Sequence, residues 1–184
     1  MGVFQIVALE PSPKWRGQGE VIKKRQFEMH PQIQPSSPTL LLFLLSYLMS
    51  INEIQNEIIE EFELFDEWED RYAHLIELGK KLPHMAEELK TDERKVKGCQ
   101  SSVWLYPTLE NNQIIFQADS DAMIVKGLVS LLVRTLSCQT PEAIAQSDLY
   151  MFEKIGMTQH LSMTRANGLA SMIKQMKMYA LALQ

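Results

Sequence analysis

Two cysteines, four histidines and one short acidic run carry most of the chemistry open to this chain of 184 residues. Cys99 is the most informative of them. It lies in Lys95-Val96-Lys97-Gly98-Cys99-Gln100-Ser101-Ser102-Val103-Trp104, a thiol after a glycine, with lysines upstream and an apolar strand downstream. Thiolate is the reactive form of cysteine, and nearby positive charge lowers its pKa. Arg94, Lys95 and Lys97 are placed to supply that charge. Gly98 lets the backbone adopt angles other residues resist, so the loop can present the sulfur to a partner and withdraw it again. The same local sequence also fits a buried, inert cysteine, because free cysteines often act as small hydrophobes. The neighbourhood of Cys99 does not decide between the two.

Cys138 follows Leu136 and Ser137 at the end of an apolar stretch and reads as a packing residue. Paired with Cys99 it would make a redox switch, but no sequence feature brings the two together. Gln159-His160 and Arg165 form a further polar set. His160 has the chemistry of a base or a zinc ligand, yet no histidine stands at metal-ligand spacing to a cysteine, and a surface or capping role fits it better. Arg165, near the start of the last helix, opposes the helix dipole, which suggests a partner contact or a buried ion pair. Asp119-Ser120-Asp121 reads most simply as a helix cap. Lys126-Gly127 is not a phosphate loop, since the G-x-x-x-x-G-K-[ST] form is absent. Gly127 reads instead as a position of close packing.

Composition bounds the rest. Hydrophobic residues make up 46% of the chain, enough for a proper core, and the net charge of −5 gives no nucleic-acid footprint. Two cysteines are too few for a disulfide scaffold or a cysteine-rich zinc site, and a lone working thiol fits the reducing cytoplasm. Residues 1–48 differ from the remainder. They hold five of the eight prolines (Pro11, Pro13, Pro31, Pro35 and Pro38). They also set Lys14, Arg16, Lys23, Lys24 and Arg25 against Glu10, Glu20 and Glu28, a net of +2 that leaves −7 on residues 49–184. Residues 1–38 show no amphipathic period, so residues 1–48 read as a disordered or non-native extension. The apolar run from Leu40 to Met49 is too short to span a bilayer as a helix, which takes roughly 20 residues. It also lacks the form of a signal peptide. A natural start at Met49 is the expectation, because Ser50-Ile51-Asn52-Glu53 has the S-x-x-E form of a capping box.

The elements that must position these groups follow from periodicity. Ile54, Ile58, Phe62 and Phe65 predict one amphipathic helix. Trp68, Tyr72, Leu75, Ile76, Gly79 and Leu82 predict a second, opened by Asp66-Glu67 and ended by Pro83. Residues 84–98 read as a polar loop with one short turn. Val103–Leu109 and Gln113–Ala118 predict a hairpin around Glu110-Asn111-Asn112. The run from Ile124 to Leu136 is apolar on most sides and predicts the central buried helix. Thr140-Pro141-Glu142 starts a short helix, residues 149–157 are ambiguous between strand and helical turn, and a last helix runs from Thr164 to the end. The order is α+β, a small antiparallel sheet covered by helices on one face. A third strand is not evident from the sequence.

Several segments together resemble the SufE family, the sulfur acceptors of cysteine desulfurases. They are Gly98-Cys99-Gln100-Ser101 with Val103-Trp104, Asp119-Ser120-Asp121-Ala122 with Ile124-Val125-Lys126-Gly127-Leu128, Thr158-Gln159-His160-Leu161, and Arg165 with Gly168-Leu169 and Met172-Ile173. Upstream, Trp68-Glu69, Tyr72, Ile76-Glu77-Leu78-Gly79 and Leu82-Pro83 also match, so the likeness runs from about Ile54 to the C-terminus. The resemblance implies a SufE-like domain over residues 49–184 with a curved antiparallel sheet of three strands, a fold shared with IscU-type scaffolds. It implies an acceptor that takes persulfide sulfur from a pyridoxal-phosphate-dependent cysteine desulfurase, stimulates that enzyme, and passes the sulfur to Fe–S scaffold proteins. Pyridoxal phosphate would belong to the partner, with no cofactor, metal, membrane or nucleic acid required of this chain. Cys99 matches the accepting cysteine. Asp121 and Arg165 match positions that help dock the desulfurase or hold the cysteine loop, and His160 matches a motif residue of unassigned role. Trp104 or Leu105 would line a shelter for the persulfide. The rival readings are an IscU-type scaffold, which two cysteines make hard to build, a Cys99/Cys138 redox sensor, and an interaction module with an inert cysteine.

Overall fold

The capping box at Ser50 forms as its sequence predicts. The computed structural model describes residues 49–184; the readings of residues 1–48 lie outside the described residues. In helix α1 (Ile51–Glu63) the Glu53 amide donates to Ser50 Oγ at 3.3 Å, and the Ser50 amide donates to Glu53 Oε2 at 2.6 Å. Ile51, Ile54, Ile58 and Phe62 form the buried stripe. Phe65 lies beyond the helix end and packs its ring against His74, 4.8 Å between centroids. Helix α2 (Trp68–Lys80) starts where Asp66-Glu67 suggests, with no side-chain cap bond but with Glu69 and Asp70 in the first turn, where the helix dipole favours negative charge.

The loop before the hairpin contains two 3₁₀ turns, Glu87–Leu89 and Asp92–Arg94, rather than one. Strands β1 (Val103–Glu110) and β2 (Gln113–Ser120) pair antiparallel, Val103 opposite Ser120 and Glu110 opposite Gln113. Asn111 and Asn112 both take positive φ, 49° and 60°, which a two-residue turn between twisted strands demands. One face of the hairpin, Val103, Leu105, Ile114, Phe116 and Ala118, is buried in the core. The other carries Trp104 and Tyr106 under cations from the preceding loop. Lys90 and Lys95 stand 5.9 and 5.7 Å from the Trp104 ring, and Arg94 stands 4.5 Å from Tyr106.

The expected three-stranded sheet is corrected to two strands among the described residues. Two single bridges, Lys95 with Trp104 and Ile114 with Gln139, touch the edges without growing into strands. On one side Gly98 at φ 92° bends the chain away, and on the other Cys138 at φ 60° does the same. An extended ladder cannot continue through a left-handed residue.

Helix α3 (Met123–Leu136) lies behind β2 as the buried central helix, with Leu128, Leu131, Leu132 and Leu136 fully enclosed. Gly127 meets Gly79 of α2 where the two helices cross. A Cβ on Gly127 would stand 2.5 Å from the Leu75 carbonyl oxygen, and one on Gly79 would stand 2.7 Å from the Gly127 amide nitrogen. Helix α4 (Pro141–Gln146) begins with Thr140 accepting from the Ala143 amide at 3.3 Å. The ambiguous stretch resolves into helical turns α5 (Met151–Lys154) and α6 (Met157–His160), separated by Gly156 at φ 77°. Helix α7 (Met163–Ala182) closes the fold, capped by Ser162. No helix among the described residues is long and apolar enough to cross a membrane.

Candidate functional site

Cys99 sits at the tip of a loop whose two ends are tied together. The Val96 amide donates to the Val103 carbonyl at 2.8 Å, and Lys95 bridges Trp104. The Asp121 amide then donates to the Ser102 carbonyl at 3.3 Å, joining the loop to the chain that leads into α3. Positive φ at Gly98 folds the loop down onto α7, where a side chain at 98 would meet Ser171 Oγ at 2.9 Å. The thiol is half-buried and donates to the Gly168 carbonyl of α7 at 3.5 Å.

The sulfur faces a cavity of about 500 Å³. One wall is the start of α3, Ala122 to Val125; the other is the first half of α7, including Ser162, Thr164, Arg165, Gly168 and Met172. Trp104 and Leu105 do not line it, which corrects the expected shelter. Leu105 points into the core with no exposed surface, and Trp104 points to the opposite face, under Lys90 and Lys95. Alternation along the strand makes this unavoidable, because the loop bends back before β1 begins.

Burial pushes the Cys99 thiol up from its ordinary value, the reverse of the shift expected from its basic neighbours. Those cations are engaged elsewhere. Lys95 pairs with Asp92 at 2.7 Å and Arg94 stacks on Tyr106, while Lys97 is exposed. Desolvation is left in control, and it favours the neutral thiol.

Of the other residues singled out by sequence, Arg165 reaches the site. It is exposed in the first turn of α7, lines the cavity, and makes no ion pair among the described residues, so the buried-pair alternative does not hold. Asp121 is exposed beside the cavity and touches the cysteine loop through its backbone amide. His160 stands apart from the Cys99 cavity. Its ring stacks on Trp68 at 3.4 Å and 19°, and its carbonyl accepts from the Tyr72 hydroxyl at 2.7 Å. Cys138 is buried, and its amide donates to the Ile114 carbonyl at 2.7 Å, near the turn end of the hairpin. The Cys99 loop is anchored at Val103, opposite Ser120, at the other end. Six residue steps along β2 lead from Ile114 to Ser120, about 20 Å at ~3.4 Å each, against the ~7 Å limit on Cα separation for a disulfide.

The reading of Asp119 as a helix cap is also corrected. Helix α3 has Ala122 at its N-cap, and Ser120 Oγ takes the Ala122 amide at 3.3 Å. Asp119 belongs to β2, opposite Trp104, and is only 5% exposed. Its carboxylate holds Lys126 at 2.6 Å and Lys90 at 2.8 Å and accepts from the Ser120 amide at 2.8 Å. Burial alone would raise this carboxyl, but Lys126, Lys90 and the amide outweigh it and hold it below its ordinary value. The signal in the sequence was strand alternation: Ala118 faces the core, so Asp119 shares the face of Trp104. Gly168 was legible only as part of a motif, not as the backbone beneath the thiol.

This is the site of an α+β protein in which one of two cysteines, Cys99, is recessed between a hairpin loop and the starts of two helices. A family model described as the Fe-S metabolism associated domain, SufE, matches residues 56–180, and the chain belongs to the SufE family. An uncharacterized SufE-like protein of Rhizobium etli is 46% identical over 127 residues, covering 66% of this chain and 86% of that one. A second, from Rhizobium meliloti, is also 46% identical over 127 residues and covers 66% of this chain and 91% of that one. The solution structure of a hypothetical protein from Thermus thermophilus superposes with a TM-score of 0.60 over 71% of this chain and 95% of that chain. At 19% identity that likeness shows the fold alone.

Proposed function

We propose that the protein accepts sulfur as a persulfide on Cys99 from a pyridoxal-phosphate-dependent cysteine desulfurase, stimulates that enzyme, and delivers the sulfur to Fe–S cluster assembly in the cytoplasm. The observation that carries this reading is that Cys99 lines a cavity on a loop tied at its base, whereas Cys138 is buried. Family membership, with its association to Fe–S metabolism, supports the same reading.

At rest the thiol is protonated and hydrogen-bonded to Gly168. Lifting the loop into a partner removes the desolvation and frees the proton. The Cys99 thiolate then attacks the terminal sulfur of the desulfurase persulfide. A new S–S bond forms at Cys99 as the old one breaks, and the desulfurase leaves as a thiolate that recovers the proton. The transfer is redox-neutral and needs no metal from this chain. Asp121 and Arg165, exposed on either side of the loop, are the residues we assign to docking or loop support; His160 has no such position.

The other readings have less support. Some 20 Å of hairpin argues against a Cys99–Cys138 switch. A cluster scaffold needs several ligands, and among the described residues no group of three or more His, Cys, Asp or Glu could hold a metal ion. Incubating the protein with desulfurase and cysteine, then weighing it, tests the proposal. One added sulfur atom on Cys99, absent in Cys99→Ser, is expected. No gain with a desulfurase verified as the cognate partner overturns it.

A further inference from the structure

Gly168 is a buried glycine inside a 20-residue helix, a position where glycine is intrinsically unfavourable. Its φ is ordinary and it makes no tight helix crossing, so neither backbone freedom nor helix packing accounts for it. Its surroundings do: a Cβ added there would meet Cys99 alone, with Sγ at 3.5 Å and Cys99 Cα and Cβ at 4.0 Å. That is ordinary van der Waals contact, so the bare thiol leaves room for alanine.

A loaded sulfur is different. The second sulfur of a persulfide lies about 2.05 Å from Sγ. It cannot stay on the line of the thiol hydrogen bond, because the Gly168 carbonyl oxygen is only 3.5 Å from Sγ. It must swing aside, over residue 168 or into the cavity. With a methyl group 3.5 Å from Sγ and a contact floor of about 3.5 Å, roughly a third of all directions around Sγ are closed to it. The carbonyl oxygen, at the same 3.5 Å, already closes an overlapping share of them; with glycine the remainder, on the Cβ side of residue 168, stays open.

We propose that Gly168 is a positioning residue for the carried sulfur: its missing side chain makes the clearance that lets the loop close over Cys99 once it is loaded. This rests on the reading of Cys99 as a sulfur carrier. The bare backbone of α7 and the cavity beside it then hold the terminal sulfur away from small nucleophiles. Alanine at 168 keeps the resting state and loses the closed, loaded one.

The test uses the whole chain and needs no desulfurase, so its outcome is separate from that of the carrier experiment. Inorganic polysulfide loads Cys99, whose thiolate attacks a sulfane sulfur while hydrosulfide leaves. Cyanide then attacks the terminal sulfur, the S–S bond breaks, thiocyanate is released and the Cys99 thiolate returns. Thiocyanate release is followed in wild type and Gly168→Ala, beside iodoacetamide alkylation of the unloaded thiol. Alanine favours helix over glycine, so the variant should melt no lower than wild type. We expect alkylation within about twofold of wild type and cyanolysis at least fivefold faster. Equal cyanolysis rates overturn the proposal. So does a parallel rise in both rates, which would mean that the substitution merely loosens the loop.

Discussion

Asp119→Asn isolates the charge on the carboxylate that ties the hairpin to its surroundings. The amide keeps the shape and can still accept from the Ser120 N–H, but Lys126 loses its counter-charge and Lys90 keeps only that of Glu87, 2.7 Å away. Removing one partner of a fully buried pair costs about 3–5 kcal/mol. Here the stranded side chains are partly wet, Lys90 at 15% and Lys126 at 27% exposure. Their long stems can carry the amines toward water, so a loss of about 2–3 kcal/mol is expected, equivalent to about 5–12 °C in Tm. The pH dependence identifies the cause. Because the folded carboxyl lies below its ordinary value of 3.8, its contribution is complete above that pH and is lost as pH falls through the folded value. Urea melts at pH 7 should therefore separate wild type from variant fully, and the gap should close below about pH 4. Since Asp119 lies opposite Trp104, at the base of the Cys99 loop, the variant should also alkylate faster at Cys99. A variant as stable as wild type at pH 7, or a gap that does not change with pH, would refute the electrostatic account.

The other perturbations are simpler. Gly127→Ala should destabilise by about 1–3 kcal/mol despite alanine's better helix propensity, because its methyl would press on the Leu75 carbonyl; an unchanged urea midpoint would show that α2 and α3 separate freely. The same substitution at Gly168 should leave stability intact, so the pair distinguishes a backbone crossing from a sulfur clearance. For Cys99 alone in solution, the alkylation rate should still be climbing at pH 9.0, the ordinary thiol value, because burial raises its pKa. An inflection well below that pH would restore the lysine-activated thiolate that the local sequence suggested.

Helices, hairpin and capping box were legible because each rests on contacts a few residues apart. The Ser50–Glu53 box, the Asn111-Asn112 turn and the 124–136 apolar run each carry their own cause. The site was less legible because its walls come from distant stretches, 98–101, 122–125 and 162–172. Local sequence singled out Cys99 and Arg165, and a family likeness gave both of them and Asp121 a role, yet periodicity alone would not have put Arg165 beside the sulfur. The direction of the Cys99 shift was misread because proximity in sequence is not proximity in space: Arg94 and Lys95 turn onto Tyr106, Trp104 and Asp92. The third strand failed on backbone angles at Gly98 and Cys138, and positive φ at a cysteine has no signature in its sequence.

A raised pKa on the residue meant to be the nucleophile is at first sight a defect, and the loop geometry removes the conflict. A thiolate held permanently at the surface would react with any oxidant, whereas a recessed thiol is inert until something lifts it. Val96 and Val103 are tied together, so only the six residues between them need move. The three steps from Val96 to Cys99 span at most about 10 Å. Two hydrogen bonds hold the loop down, the weak S–H donor to Gly168 and the 3.3 Å bond from the Asp121 amide to the Ser102 carbonyl, while the bonds at Val96 and Trp104 that set the loop's base are untouched. Activation then needs no new group near the sulfur. Water or a partner surface replacing the cavity wall restores the thiol's ordinary acidity, and the same six residues can return to cover what was loaded.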